Sequence, residues 1–245
     1  MTDTTTETAV HFRSDVTVEL VKHSAADSDV LWAARVSTAG ELSLEELAKD
    51  PERSKGLINY LMRDRHGSPF EHNSMTFFIS APILVFREFM RHRVGWSYNE
   101  ESGRYRELEP VFYVPGQDRK LVQQGRPGKY EFVDGTPEQH KATATAMEAS
   151  YRQSYEAYQE MLAAGVAREV ARSVLPVGLF SSMYATCNAR SLMHFLGLRT
   201  QHELAAVPSF PQREIEMVGE KMEALWAGLM PLTHAAFNAN GRIAP

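Results

Sequence analysis

The chain has 245 residues, 43% of them hydrophobic and 23% charged, with a formal net charge of −5 and a single cysteine, Cys187. That is ample material for a core of ordinary soluble composition, and the acidic balance argues against a non-specific nucleic-acid binder. No apolar run approaches the length of a membrane span, the polar start Met1-Thr2-Asp3-Thr4-Thr5-Thr6-Glu7 lacks a signal-peptide core, and one cysteine excludes an internal disulfide or a cysteine-based metal site, so a reducing cytoplasm is expected.

Residues 1–12 are expected as a flexible tail and 13–245 as one domain. Val16 to Val21 alternates and is rich in β-branched residues, which predicts a strand. Asp29 to Arg35 reads as a short helix. Ser43-Leu44-Glu45-Glu46 is a capping box whose helix Asp50-Pro51 interrupts and restarts, with Leu57, Ile58, Leu61 and Met62 inward. His66-Gly67-Ser68-Pro69-Phe70 is a turn, and Ser74 to Ser80, rich in Phe, Thr and Ile, is a second strand. Pro82 suits the first turn of a helix running to about Arg93, where Gly95 breaks it. Residues 109–136 read as loops with at most one short strand. Thr136-Pro137-Glu138-Gln139 opens a long helix that closes at Gly165, and a short helix ends before Pro176. Leu179 to Cys187 is a further strand, and Asn188 caps a helix from Ala189 to Leu198. Ile215, Val218, Met222, Leu225, Trp226 and Leu229 mark the apolar face of a last helix. Few strands among several long helices predict an α+β fold.

The densest chemistry lies between Arg91 and Tyr105. Arg91-His92-Arg93 and the polar run Ser97-Tyr98-Asn99-Glu100-Glu101-Ser102-Gly103-Arg104-Tyr105 follow the apolar Pro82-Ile83-Leu84-Val85-Phe86. Guanidinium forks fit phosphate oxygens bidentately, so this pattern points to a phosphate-bearing ligand. Arg87, Glu88 and Arg91 share one helical face if the helix reaches Arg93; ordinary ion pairing on a solvated face is the competing reading. His66 stands before a tight turn whose backbone N–H groups could meet an anion or a cofactor ring. His66, Glu71 and His72 lack metal-ligand spacing, and no metal is expected. A third cluster joins Arg172 with Asn188, Arg190, His194 and Arg199, where the free N–H groups after Asn188 suit an anion and Leu192, Phe195, Leu196 and Leu198 form the buried stripe. Cys187 lacks a neighbouring base and reads as a small core side chain. No Gly-x-Gly-x-x-Gly or P-loop is present.

Arg91-His92-Arg93 followed by an eight-residue spacer and Ser102 resembles the signature of the flavin-dependent thymidylate synthases, the ThyX family. Also similar, in the same order, are His66-Gly67-Ser68-Pro69-Phe70-Glu71-His72, Ala81-Pro82, Ser97 to Glu100, Ser102 to Tyr105, Val170-Ala171-Arg172 with Leu175-Pro176, and Asn188 to Met193 with Leu198-Arg199. The resemblance runs over about residues 16–230. It implies a small, mostly antiparallel sheet flanked by long helices, and a homotetramer whose active sites are shared between subunits. It implies reductive methylation of dUMP to dTMP, with methylenetetrahydrofolate as carbon donor and NADPH, acting through FAD, as reductant. By position, His66, Ser68, Arg91, His92, Arg93, Glu100, Asn188, Arg190 and His194 would contact the flavin nucleotide. Glu88, Arg91, Ser102, Gly103, Arg104 and Arg172 would surround dUMP, and Arg199 would stabilise negative charge at the uracil edge.

The chain departs from the family in three places. Its spacer is one residue longer than is common. Glu88 stands where many members have Gln, and could pair with Arg87 or Arg91. Residues 204–210 look like an insertion after Arg199, which leaves His202 as a candidate for a histidine usually found there. Two other readings remain: a flavin or nucleotide-binding module without turnover, and an RNA-binding protein using the basic cluster. The cysteine-dependent thymidylate synthase is excluded because its thiol motif is missing.

Overall fold

The computed structural model describes residues 9–39, 50–126 and 129–245. Along the chain these form β1 (His11–Arg13), β2 (Thr17–Ser24), α1 (Asp27–Ala39), α2 (Pro51–Arg63), β3 (Ser74–Pro82) and α3 (Ile83–Phe89). There follow β4 (Trp96–Glu100), β5 (Val111–Tyr113), β6 (Val122–Arg126), β7 (Lys129–Val133), α4 (Pro137–Ala163) and α5 (Arg168–Ala171). The chain then adds β8 (Phe180–Cys187), α6 (Ala189–Arg199), α7 (Arg213–Leu229) and α8 (Pro231–Ala239). The α+β expectation holds. His11 and Phe12, expected within the flexible tail, pair in register with Val111 and Phe112. The capping box at Ser43 lies outside the described residues.

The chain forms two compact units. The first holds the described residues up to Asp15, with Ala81–Phe86 and Glu101–Ser181. Its long helix α4 starts as the sequence predicts: Thr136 Oγ1 accepts from Gln139 N–H at 3.3 Å, and the Gln139 side chain accepts from Thr136 N–H at 2.8 Å. Tyr151, Tyr155 and Tyr158 recur at helical spacing on one face of α4 and pack with Phe112, Leu108, Ala171 and Leu179. The pairing of β1 with β5 is parallel, while β6 and β7 form an antiparallel hairpin. Residues 109–136, expected to be loops with at most one short strand, hold three strands among the described residues.

The second unit holds the described parts of Val16–Ser80, Arg87–Glu100 and Ser182–Pro245. Its sheet has the order β2-β3-β8-β4, with β2 antiparallel to β3 and β4 antiparallel to β8. Along β3 burial alternates, placing Met75, Phe77 and Ile79 in the core. Helix α7 packs against β2 and α6, and α8 packs against α7 and α2. Trp226, Phe237, Phe195 and Ile58 are fully buried there, each contributing about 1.5–3 kcal/mol on removal from water. Among the described residues no helix is long and apolar enough to cross a membrane.

Packing corrects several of these expectations. The helix after Pro82 ends at Phe89 instead of about Arg93, so Arg91 and Arg93 stand in a turn and share no helical face with Arg87. Trp96–Glu100 is an edge strand paired from Trp96↔Cys187 to Glu100↔Met183, although its composition is polar. Leu198, expected in the buried stripe of α6, is 62% exposed, and α7 is followed by α8 instead of being the last helix.

Candidate active site

The turn between α3 and β4 is built around Tyr98, whose hydroxyl reaches Phe89 O at 3.0 Å and His92 O at 2.9 Å. Burial pushes the Tyr98 phenol far above its ordinary value, so it remains a donor. Gly95 adopts φ +71°, and any Cβ there would strike Ser191 Oγ, which itself donates to Val94 O at 2.9 Å. Only glycine therefore closes this turn onto the start of α6. The turn leaves Arg91 and Arg93 exposed, and their guanidinium groups have no partner among the described residues. His92 points inward instead, edge-on to Phe195 with centroids 4.9 Å apart.

Arg199, at the last position of α6, completes the inner cluster. Its Nη1 donates to Glu88 Oε2 at 2.6 Å, and its Nε donates to His92 Nε2 at 3.1 Å. The second bond requires a neutral imidazole with its proton on Nδ1. Burial, the Arg199 cation and His194 together lower His92 to about 4, which keeps it neutral near pH 7. Glu88 is the acid of this cluster. Burial raises its carboxyl above the ordinary range by more than Arg199 lowers it, with Glu214 adding to the rise. Its second oxygen, Oε1, is buried and has no hydrogen-bond partner. The expected pairing of Glu88 with Arg87 or Arg91 is thus replaced by a pair with Arg199, made possible by tertiary packing across more than a hundred residues of sequence.

The opposite end of α6 gathers other sequence candidates. Asn188 caps the helix, its Oδ1 accepting from Ser191 N–H at 2.8 Å, and Asn73 Oδ1 accepts from Ala189 N–H at 2.8 Å. Two of the N–H groups expected to be free for an anion are therefore already satisfied, and Asn73 is a participant the sequence did not signal. Arg190 donates through Nη1 to Glu71 Oε1 and through Nε to Pro245 O, both at 2.6 Å. Gly67 lies beneath that guanidinium so closely that a Cβ would sit 2.6 Å from Arg190 Cζ. His66 is exposed and stacks on Tyr60 at 5.6 Å, and Ser68 opens the 3-10 turn Ser68–Glu71. Burial, then the Arg190 charge, lowers His194. Glu100 ends β4.

All nine residues expected around the flavin nucleotide therefore belong to the second unit. The substrate set divides: Glu88, Arg91 and Arg199 belong to the second unit, and Ser102, Gly103, Arg104 and Arg172 to the first. In the first unit Ser102 Oγ accepts from Arg104 N–H at 3.3 Å, and Gly103 is buried where a Cβ would meet Leu108 and the Arg172 stem. Arg104 Nε is drawn to Glu169 Oε2 at 2.6 Å, a partner that sequence spacing did not suggest. Arg172 has no side-chain partner among the described residues. His202 Nδ1 accepts from Leu204 N–H at 3.1 Å in the exposed segment after Arg199. Cys187 is 2% exposed within β8, and burial pushes its thiol far above the ordinary value.

The donor set fits a flavin nucleotide. Exposed guanidinium groups at Arg91 and Arg93, without a partner among the described residues, suit a pyrophosphate. Such a donor set suits a phosphorylated nucleotide beside a part-buried arginine.

Comparison with known proteins gives this class its family. The model described as thymidylate synthase complementing protein matches residues 19–232. The chain is 89% identical over 234 residues to a flavin-dependent thymidylate synthase of Streptomyces avermitilis, covering 96% of this chain and 95% of the relative. It is 57% identical over 235 residues to one from Tropheryma whipplei, with 96% and 97% coverage. The structure superposes with a TM-score of 0.89 on a UMP/dUMP methylase, PolB from Streptomyces cacaoi, bound with 5-Br UMP, at 55% identity over 96% of this chain and 99% of that one. This chain belongs to the flavin-dependent thymidylate synthases.

Proposed function

We propose that the chain carries out reductive methylation of dUMP to dTMP without a cysteine nucleophile, taking its one-carbon unit from methylenetetrahydrofolate and its reducing equivalents from NADPH. The observation that carries this reading is the contrast between Cys187 and Arg199. The chain's only thiol is buried and held protonated, while Arg199 sits part-buried among Glu88 and His92 with guanidinium hydrogens to spare. Making C5 of uracil nucleophilic requires either a thiolate adding at C6 or an electron-rich ring. With the thiol inert, the second route remains, and Arg199 stabilises the negative charge that develops as N3 loses its proton.

The proposed roles follow from chemistry at named atoms. Glu88 holds the Arg199 guanidinium by Oε2, and its unpaired Oε1 accepts an N–H or O–H of the nucleotide. Neutral His92 orients the same guanidinium from its other edge. Ser102 and Arg104 receive the dUMP phosphate, with Gly103, Arg172 and Arg91 around the nucleotide. His66, Ser68, Arg91, His92, Arg93, Glu100, Asn188, Arg190 and His194 hold the flavin nucleotide as FAD. When bound, the flavin supplies the hydride chemistry that protein side chains lack. The reading takes residues 13–245 as one functional domain, in a cytoplasmic homotetramer with active sites shared between subunits.

The test is direct. Purified protein should show flavin absorbance bands that shift on dUMP titration. It should also release tritium from C5-labelled dUMP when given NADPH and methylenetetrahydrofolate. Flavin retention without tritium release would leave a binding module and defeat the catalytic reading.

A further inference from the structure

Outside the site described above, the second unit holds a dense polar cluster that the proposed chemistry does not use. Arg242 follows α8, and its side chain is 1% exposed. Its Nη1 donates to Glu223 Oε1 at 2.6 Å and to Asn238 Oδ1 at 2.7 Å. Its Nη2 donates to Glu223 Oε2 at 2.7 Å and to Thr200 Oγ1 at 3.1 Å. Its guanidinium carbon lies 4.9 Å from the centre of the Phe237 ring. The residue holds φ +54°, a left-handed conformation that a non-glycine residue adopts only where its surroundings dictate it.

What this strained, buried cation grips is the residue after Arg199. Thr200 is 4% exposed, and its hydroxyl, besides accepting from Arg242, donates to Leu196 O at 2.8 Å. Ser209 Oγ donates to Thr200 O at 2.5 Å, and Ala206 N–H donates to Gly241 O at 2.9 Å. The segment around Arg242 is tied down further along, where Arg65 Nη1 donates to Ile243 O and Arg190 Nε to Pro245 O, each at 2.6 Å. One short stretch of chain therefore meets the residue that follows Arg199 and, at its other end, Arg190.

We propose that Gly241–Pro245 is a strap that positions Arg199 for the nucleotide, with Arg242 as the positioning residue acting through the Thr200 hydroxyl. The physical need is plain. Arg199 ends its helix, where backbone frays, and a long side chain on a frayed end cannot hold a guanidinium against a pyrimidine edge. Arg242 fixes that end from behind, using a fork whose donors are shared among carboxylate, amide and hydroxyl. This inference rests on the reading in which Arg199 meets the pyrimidine.

The experiment compares full-length, flavin-loaded Thr200→Val, Thr200→Ser, Arg242→Lys and Arg199→Lys. It measures dUMP affinity by calorimetry, flavin content, turnover and unfolding temperature. Thr200→Val is expected to weaken dUMP about tenfold at unchanged flavin content, as the loss of a hydrogen bond to a charged group implies. Thr200→Ser should restore affinity to within about twofold by restoring the hydroxyl. Arg242→Lys, which keeps the charge and loses the fork, should fall with Thr200→Val. The strap is overturned if Thr200→Val and Arg242→Lys lower only the unfolding temperature while Arg199→Lys loses dUMP. If Arg199→Lys itself binds dUMP normally, the reading of Arg199 fails and the strap falls with it.

Discussion

Two arginines of the second unit are each held by a glutamate at 2.6 Å, and the two pairs serve opposite ends. Arg242 and Glu223 are saturated. Both Glu223 oxygens are used, His234 Nε2 lies 2.8 Å from one of them, and the Arg242 side chain is 1% exposed. Arg199 and Glu88 are not. Their side chains are 23% and 21% exposed, and Glu88 Oε1 is buried without a partner. The carboxyls respond accordingly. Burial pushes Glu223 up, but the bonds and charges of Arg242 and His234 outweigh it and hold it at about 2. At Glu88 burial prevails over Arg199, and the carboxyl rises. A saturated pair holds chain in place, and an unsaturated one keeps an acceptor open for a ligand.

The largest expected effect breaks the unsaturated pair. Arg199→Lys should lower turnover of dUMP by about 10²–10³-fold while flavin content stays constant, because lysine cannot present the planar fork; steady-state kinetics on flavin-matched samples checks it. Next comes the saturated pair. Glu223→Gln should destabilise the protein by about 3 kcal/mol in denaturant unfolding at pH 7, since it strips the charge from beneath a buried guanidinium. The wild-type contribution of Glu223 is present above the ordinary carboxylate value of 4.5 and is lost as pH falls through about 2. The same substitution at Glu88 sharpens the comparison because its sign differs. A carboxyl whose folded pKa is raised stabilises most when protonated, and that contribution is lost as pH rises through the raised value. Glu88→Gln should therefore leave stability at pH 7 unchanged or raise it by up to about 1 kcal/mol, and an equal loss at both glutamates would remove the distinction. The smallest effect is expected at the thiol: Cys187→Ser should keep turnover within about twofold, whatever it costs in unfolding temperature. A folded, flavin-loaded but inactive Cys187→Ser would contradict the thiol-independent route.

Much of the molecule was legible in the chain itself, wherever short-range rules apply. The Thr136 capping box, the Asn188 cap and the strand predicted from the Phe, Thr and Ile content of Ser74 to Ser80 depend on neighbours within a few residues, and each is present. The motifs that carry the family resemblance were legible too, and so was the isolation of Cys187. Other features lay beyond local reading. Trp96–Glu100 is polar because it is an edge, and it becomes a strand only because β8 lies beside it. The helix after Pro82 ends at Phe89, where the chain turns tightly with His92 N–H on the Phe89 carbonyl and the distant Tyr98 hydroxyl donates to the carbonyls of Phe89 and His92. Glu88 meets Arg199 instead of Arg91 because that helix ends at Phe89, before Arg91, and Arg87 is its immediate neighbour on the helix and so does not face it. Arg242, with no motif around it, draws its importance wholly from burial beside Glu223 and Thr200. Local propensity and residue chemistry are properties of the sequence. Which charge faces which, and which acceptor is left open, is fixed only when distant segments exclude water together.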